Sequence, residues 1–250
     1  MIRAVFATVL ALALPAQAEI PIKEVTSPGG ITAWLVEDHN IPFTALEIQF
    51  RGGTSLEAPD KRGVVNLMTA TLEEGAGELD SRGFAEARDA LAASFSFDAG
   101  TDSVGVSAQF LTENRDQAID LLRKALIEPR FDQAAVDRVR EQVLSNLRSN
   151  EKDPGTIASE RFDLLAFGDH PYASSGDGTV DTVTALTRDD VVAAHKAALA
   201  RDRVFVAAAG DITAEELGLL LDKLLGDLPA TGSPLPGAAP WLLAPGVTVQ

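Results

Sequence analysis

The sequence predicts an α+β domain in which helices cover one face of a mixed sheet. Three observations carry that expectation. Strand-like and helix-like periodicities follow one another in the order strand, strand, helix, helix, hairpin, helices, strand, helix, which is not the regular alternation of a doubly wound parallel sheet. The strands alternate apolar and polar residues with period two and the helices carry a single apolar stripe, so each element has one face to hide. The chain contains no cysteine, so no disulfide framework, thiolate nucleophile or Cys-type zinc site is available and stability must come from the core.

The elements are read in order from the N-terminus. Residues 1–18 have the layout of an export signal: Arg3 supplies the positive start, residues 4–14 an apolar run too short to span a bilayer, and Ala16-Gln17-Ala18 a small-x-small cleavage site. The expectation is therefore a periplasmic or secreted protein cleaved after Ala18. Residues 31–38 and 43–50 read as strands, the second with Leu46, Ile48 and Phe50 on one side, joined by a turn containing Asp38-His39-Asn40 and Pro42. Residues 61–74 and 81–93 are helical in period. A hairpin follows over 94–100 and 103–111, with Val104, Val106, Ala108 and Phe110 on its buried side.

A helix over 113–128 is stopped by Pro129. Asp132 is placed to cap the next, whose stripe is Val136, Val139, Val143 and Leu147. Asp153-Pro154 starts a third, running to about Phe167. After a Gly-, Pro- and Ser-rich loop over 168–179, Thr187 with Asp190 caps a helix through Leu199, residues 203–209 form a buried strand, and Thr213 with Glu216 makes a capping box for a helix over 214–225. Residues 229–245 carry five prolines and have linker composition, and 246–250 resemble a strand just beginning, as at the start of a truncated second half. Residues 19–228 thus form the expected domain.

The formal net charge is −16 and becomes −17 once Arg3 leaves with the signal, which argues against nucleic acid and anionic lipid as partners. No apolar run long enough to span a membrane follows Ala18. Phosphate-cradling glycine motifs and a G-x-S-x-G elbow are absent as well.

A series of short motifs runs through nearly all of the mature chain. It comprises Gly52-Gly53-Thr54, Gly63-Val64-Val65-Asn66-Leu67, Leu72-Glu73-Glu74-Gly75-Ala76-Gly77, Pro129-Arg130-Phe131-Asp132, Asp153-Pro154, His170-Pro171-Tyr172, Gly178-Thr179, Leu186-Thr187, Gly210-Asp211-Ile212 and Leu228-Pro229. In this order and spacing the chain resembles the M16 peptidases of the insulinase and pitrilysin type. The resemblance implies an M16-type two-layer domain, of the kind shared with mitochondrial processing peptidase, with a largely antiparallel mixed sheet and helices on one face.

That family works through an inverted zinc motif, H-x-x-E-H, on the first long helix and a glutamate ligand on a later one. Two histidines at i and i+4 share the metal and the glutamate takes a proton from metal-bound water. Alignment on Gly63 puts the two histidine positions at Asn66 and Ala70 and the general-base position at Thr69; alignment on Gln142-Val143-Leu144 puts the distal ligand position at Asn146. A neutral amide, a methyl group and a hydroxyl cannot supply those functions. The three histidines, His39, His170 and His195, lie too far apart in sequence to rebuild the motif in another register. No catalytic, metal or cofactor-binding residue is therefore expected in this chain, and zinc is expected in a partner.

His39 is read as a solvated turn residue, His170 as a loop-structuring residue before Pro171, and His195 as a packing or surface residue. Glu73-Glu74 are adjacent on a helix and cannot face one substrate together; Asp189-Asp190 suit a helix N-terminus. Three functions remain open: the non-catalytic subunit or half of a zinc metallopeptidase, binding peptide and closing a chamber with a homologous H-x-x-E-H partner; a divergent metalloendopeptidase active alone; and a scaffold with no link to proteolysis.

Overall fold

The structure, a computed structural model, describes residues 21–244 and Gly246. The expected export signal lies outside these residues, as does nearly all of the expected strand start at 246–250. The main sheet contains β1 (Lys23–Thr26), β2 (Thr32–Glu37), β3 (Phe43–Arg51), β6 (Ser94–Ala99), β7 (Ser103–Leu111) and β8 (Val204–Gly210), and a small ribbon joins β4 (Gly75–Ala76) to β5 (Leu79–Asp80). The helices are α1 (Val64–Thr69), α2 (Ser81–Ala90), α3 (Arg115–Ile127), α4 (Gln133–Asn150), α5 (Pro154–Phe167), α6 (Val180–Ala185), α7 (Arg188–Ala198) and α8 (Ala214–Leu225).

Strand order is β1-β2-β8-β3-β7-β6, and among the described strands only the β2–β8 pair is parallel. The sheet is thus mixed and largely antiparallel. Its period-two pattern assigns the faces. Leu35, Leu46, Ile48, Phe50, Val104 and Val106 are sealed beneath the helices, whereas Glu47, Gln49 and Gln109 point outward with the half-exposed rings of Trp34 and Phe205. The helices α1, α3 and α8 lie against β6, β7 and β1 and add Leu67, Leu122 and Leu221 to the core. No helix among the described residues is long and apolar enough to cross a membrane.

The strands over 31–38 and 43–50 are connected by the expected turn but do not pair with each other: β8 lies between them, opposing Ile48 with Val206 and Leu46 with Ala208. The helix expected over 61–74 is much shorter. Gly63 precedes α1 at φ +91°, a left-handed conformation no helix can run through, and a Cβ there would meet the Asp177 carbonyl at 2.6 Å. At the other end Thr71 and Leu72 donate to carbonyls three residues back instead of four, and Thr71 Oγ1 returns to Leu67 O at 2.8 Å, so the turn tightens and stops.

The helix expected over 81–93 ends at Ala90, with Ala92 at positive φ before β6. Asp132 occupies the N-cap of α4 without capping it, because its carboxylate accepts from Arg130 Nε at 2.8 Å. The caps at Asp153, Thr187 and Thr213 form as the sequence predicts. The short elements β1 and α6 carry too few residues for a periodic signal.

Residues 229–244 have no regular structure, yet they are fastened to the domain. Ser233 N donates to Ala197 O at 3.1 Å, Gly232 N to Asp202 Oδ1 at 3.2 Å, and Leu242 N to Ala166 O at 2.9 Å. The buried Arg203 donates to Ser233 O at 2.5 Å, and the ring of Trp241 packs on Phe162 and Phe167 of α5. Replacing Arg203 with Ala removes that anchor. The expected outcome is a loss of about 1–3 kcal/mol in urea unfolding, with faster amide exchange at Gly232 and Ser233 than in helices α3 and α8.

Candidate functional site

The positions singled out by sequence meet in a cleft between α1 and α4. Most of α1 is committed to the core: Val64, Val65, Leu67 and Met68 are buried, so Asn66 and Ala70, one turn apart, are the residues that face out. Across from them α4 presents Val139, Gln142, Val143, Asn146, Leu147 and Asn150. The cleft has a volume of about 590 Å³, with Glu74 and Asp177 also in its lining.

Of the four aligned positions, Asn66, Ala70 and Asn146 line this cleft and Thr69 does not. Thr69 is 3% exposed and its hydroxyl donates to Asn66 O at 3.0 Å within the helix. Asn66 Nδ2 donates to Asp177 Oδ1 at 3.0 Å, which ties α1 to the loop before α6. Glu74 is held by Ser81 Oγ at 2.5 Å and by a two-pronged contact with Arg138, whose Nη1 lies 3.1 Å away. Burial raises the Glu74 pKa, but the hydrogen bonds from Arg138 and Ser81 outweigh it and the net displacement is downward. Glu73 turns elsewhere, to Arg88 at 3.0 Å, and burial pushes it upward. The two neighbours thus have separate partners, although they lie in the turns after α1 and not on a helix as the sequence suggests.

A zinc ion needs imidazole, thiolate or carboxylate donors converging from several sides. Here two neutral amides and a methyl group stand at the aligned ligand positions, and the nearby carboxylates are engaged with Asn66 and Arg138. This donor set does not fit a catalytic zinc. Among the described residues no three His, Cys, Asp or Glu side chains are grouped so as to hold a metal ion.

The histidines lie apart from the cleft. His195 is buried, its Nε2 2.9 Å from Leu126 O and its ring edge-on to Phe131; burial lowers its pKa. It is a packing residue. Phe131 itself holds a positive φ. His170 organises its loop: Nδ1 accepts from Tyr172 N at 3.2 Å, which leaves Nε2 to donate to Gly237 O, also at 3.2 Å. The exposed His39 does more than face water, since its Nδ1 lies 2.7 Å from Asp211 Oδ1, a contact that raises its pKa, and Thr112 Oγ1 donates to the other oxygen of Asp211.

Sequence reasoning missed the group on which the cleft's first helix rests. Glu57, in the segment before α1, has a fully buried carboxylate that accepts from Gly63 N at 3.1 Å and Val65 N at 2.7 Å. It satisfies two N–H groups that α1 otherwise leaves bare. Arg62 lies 3.6 Å from it and donates to Thr54 O and Pro171 O, each at 2.8 Å. Capping signatures place the acceptor next to the helix, and Glu57 is six residues upstream of Gly63. Only the pairing of Glu and Arg flanking Pro59 hinted at it.

Residues 32–179 match the insulinase family of M16 peptidases, and the chain belongs to that family. Its relatives include a protein of Helicobacter pylori described as the non-peptidase homolog YmxG, 29% identical over 193 residues that make up 77% of this chain and 45% of that one. Another is an uncharacterized zinc protease, ML0855, of Mycobacterium leprae, 23% identical over 80% of this chain and 45% of the relative. Among solved structures, a peptidase M16 inactive domain from Pseudomonas fluorescens superposes with a TM-score of 0.82 at 25% identity, covering 88% of this chain and 54% of that one. The chain therefore spans about half the length of these relatives.

Burial raises the pKa of Glu57 to about 7 against the pull of its hydrogen bonds and Arg62. The folded protein thus keeps the proton up to about pH 7 while the unfolded chain releases it near the model-peptide value of 4.5. Between these values the native state binds more protons, so this group's contribution falls as pH rises. Wild type should lose about 2 kcal/mol relative to Glu57→Gln between pH 5 and pH 7, measured as the difference in urea unfolding free energy. Parallel pH profiles for the two proteins would remove this assignment.

Proposed function

We propose that this chain is the non-catalytic unit of an exported M16 metallopeptidase, binding peptide and closing a chamber with a homologous subunit that carries H-x-x-E-H and the zinc. The observation that carries the reading is the composition of the α1–α4 cleft. Asn66, Ala70 and Asn146 stand at the aligned ligand positions, and Thr69, at the general-base position, is turned into the core. The inactive M16 domain and the non-peptidase homologue among the relatives support it. So does the habit of M16 proteins to pair as subunits. In this reading the domain keeps its architecture while hydrolysis passes to the partner, and the export signal requires the partner to be exported as well.

The test is to purify the mature chain, a homologous H-x-x-E-H subunit, and the two together, and to measure zinc content and peptide hydrolysis of each. The expected result is neither zinc nor hydrolysis for the lone chain and faster hydrolysis by the pair than by the partner alone. Zinc-dependent cleavage by the lone chain would overturn the reading in favour of an independent peptidase. An unaltered partner would favour a scaffold.

The same assignment of positions has a constructive test. Asn66→His, Ala70→His and Asn146→Glu combined place two imidazoles and a carboxylate around one cleft. This variant should bind about one zinc ion per chain by elemental analysis after dialysis, whereas wild type retains none. Failure of the folded variant to bind zinc would mean that these are not the ligand positions.

A further inference from the structure

The wall that α4 gives to the cleft is organised in two parallel stripes. Gln142, Asn146 and Asn150 recur every fourth residue, and Val139, Val143 and Leu147 do the same one position over. None of the three exposed carboxamides forms a hydrogen bond with another protein group among the described residues, so their donors and acceptors are open to a ligand. Among the described residues no Lys, Arg or aromatic residue lines the cleft, and its formal charges are those of Glu74, which is paired with Arg138, and Asp177.

We infer that this cleft holds an extended, non-acidic stretch of polypeptide by its main chain, through the side-chain amides of Gln142, Asn146 and Asn150. The spacing is the first argument. Residues four apart on a helix rise by about 6 Å, and alternate residues of an extended chain repeat every 6.4–6.8 Å or so. Three amides along α4 therefore keep step with the peptide groups of about four to five extended residues.

The chemistry of the donors is the second. Each carboxamide offers one acceptor and two donors, the complement of a peptide N–H and C=O, and asks nothing of the ligand's side chains. Val143 and Leu147, half-buried beside the amides, leave apolar edges for side chains of such a segment, while Val139 is buried in the core. Ala70, which takes up little room on the opposite wall, leaves space for the main chain. The volume of about 590 Å³ is that of a ligand-sized cleft. The carboxylate of Asp177, bonded only to the neutral amide of Asn66, opposes an acidic segment, and without an aromatic platform the cleft is poorly suited to stacking a sugar or a base.

This inference rests on the peptide-binding part of the proposed function and adds the residues and the mode of recognition. It is tested with the mature chain and a fluorescein-labelled, end-blocked octapeptide of alternating Val and Ser. Two analogues accompany it, one with Asp replacing Ser and one N-methylated at alternate residues. Fluorescence anisotropy should report binding of the Val-Ser peptide and at least tenfold weaker binding of both analogues. Asn146→Leu, which keeps the size and removes the hydrogen bonds, should weaken the Val-Ser peptide about tenfold. Arg148→Ala, on α4 but outside the cleft, should leave binding unchanged.

These side chains are exposed, so the variants should keep wild-type thermal midpoints. Absence of binding by wild type, equal affinity of Asn146→Leu, or equal affinity of the N-methylated analogue would each overturn the inference. The partner assay separates the two ideas. Enhancement of the partner's hydrolysis that survives in Asn146→Leu leaves the proposed function standing without the amide cleft. Amide-dependent peptide binding without enhancement leaves the cleft and removes the proposed function.

Discussion

The carboxylate of Glu57 holds together the part of the molecule that matters most for function. It sits out of water at the start of α1, takes hydrogen bonds from Gly63 and Val65, and lies beside Arg62, whose other contacts reach Thr54 and Pro171. A six-residue helix has little stability of its own. It is fixed here by that buried acceptor at one end and by four apolar side chains sunk in the core, and through it Asn66 and Ala70 acquire their positions opposite α4. An unpaired buried carboxylate would be costly, so Arg62 and the backbone donors form a set in which no member is easily removed alone.

Much of the architecture is legible in the sequence because it is locally encoded. The alternation of Val104, Val106, Ala108 and Phe110 defines β7 to the residue, and the Thr213–Glu216 box and leucine stripe define α8 in the same way. The placement of β8 is not local. Whether Val206 and Ala208 meet β2, β3 or an edge depends on partners far away in the chain, and alternation cannot say which. The length of α1 is not legible for a related reason: residues 61–74 keep helical spacing, but the positive φ of Gly63 and the tightened turns after Thr69 go with packing against the Asp177 loop and with Thr71's return to the backbone.

The candidate site divides in the same way. The alignment of motifs leads to Asn66, Ala70 and Asn146, and the structure places all three in one cleft. Gln142 and Asn150 gave no signal, since exposed amides on a helix read as ordinary solvated surface until an opposing wall is known. Glu57 was hidden because its partners are backbone N–H groups of a helix it does not adjoin in sequence.

The position of β8 has a consequence for how the domain comes into being. Within the sheet, β8 follows every other strand in the chain, and its two neighbours are among the first. Until it arrives, β2 and β3 each have an open edge and the helices have only part of a surface to cover. Contacts such as Ala33 with Val206 span most of the chain, so closing the sheet carries a large entropic cost late in assembly and folding is expected to be slow and concerted. A chain built this way cannot mature from one end to the other. The sheet stays open until residues 204–210 are in place, and the domain closes on that one strand.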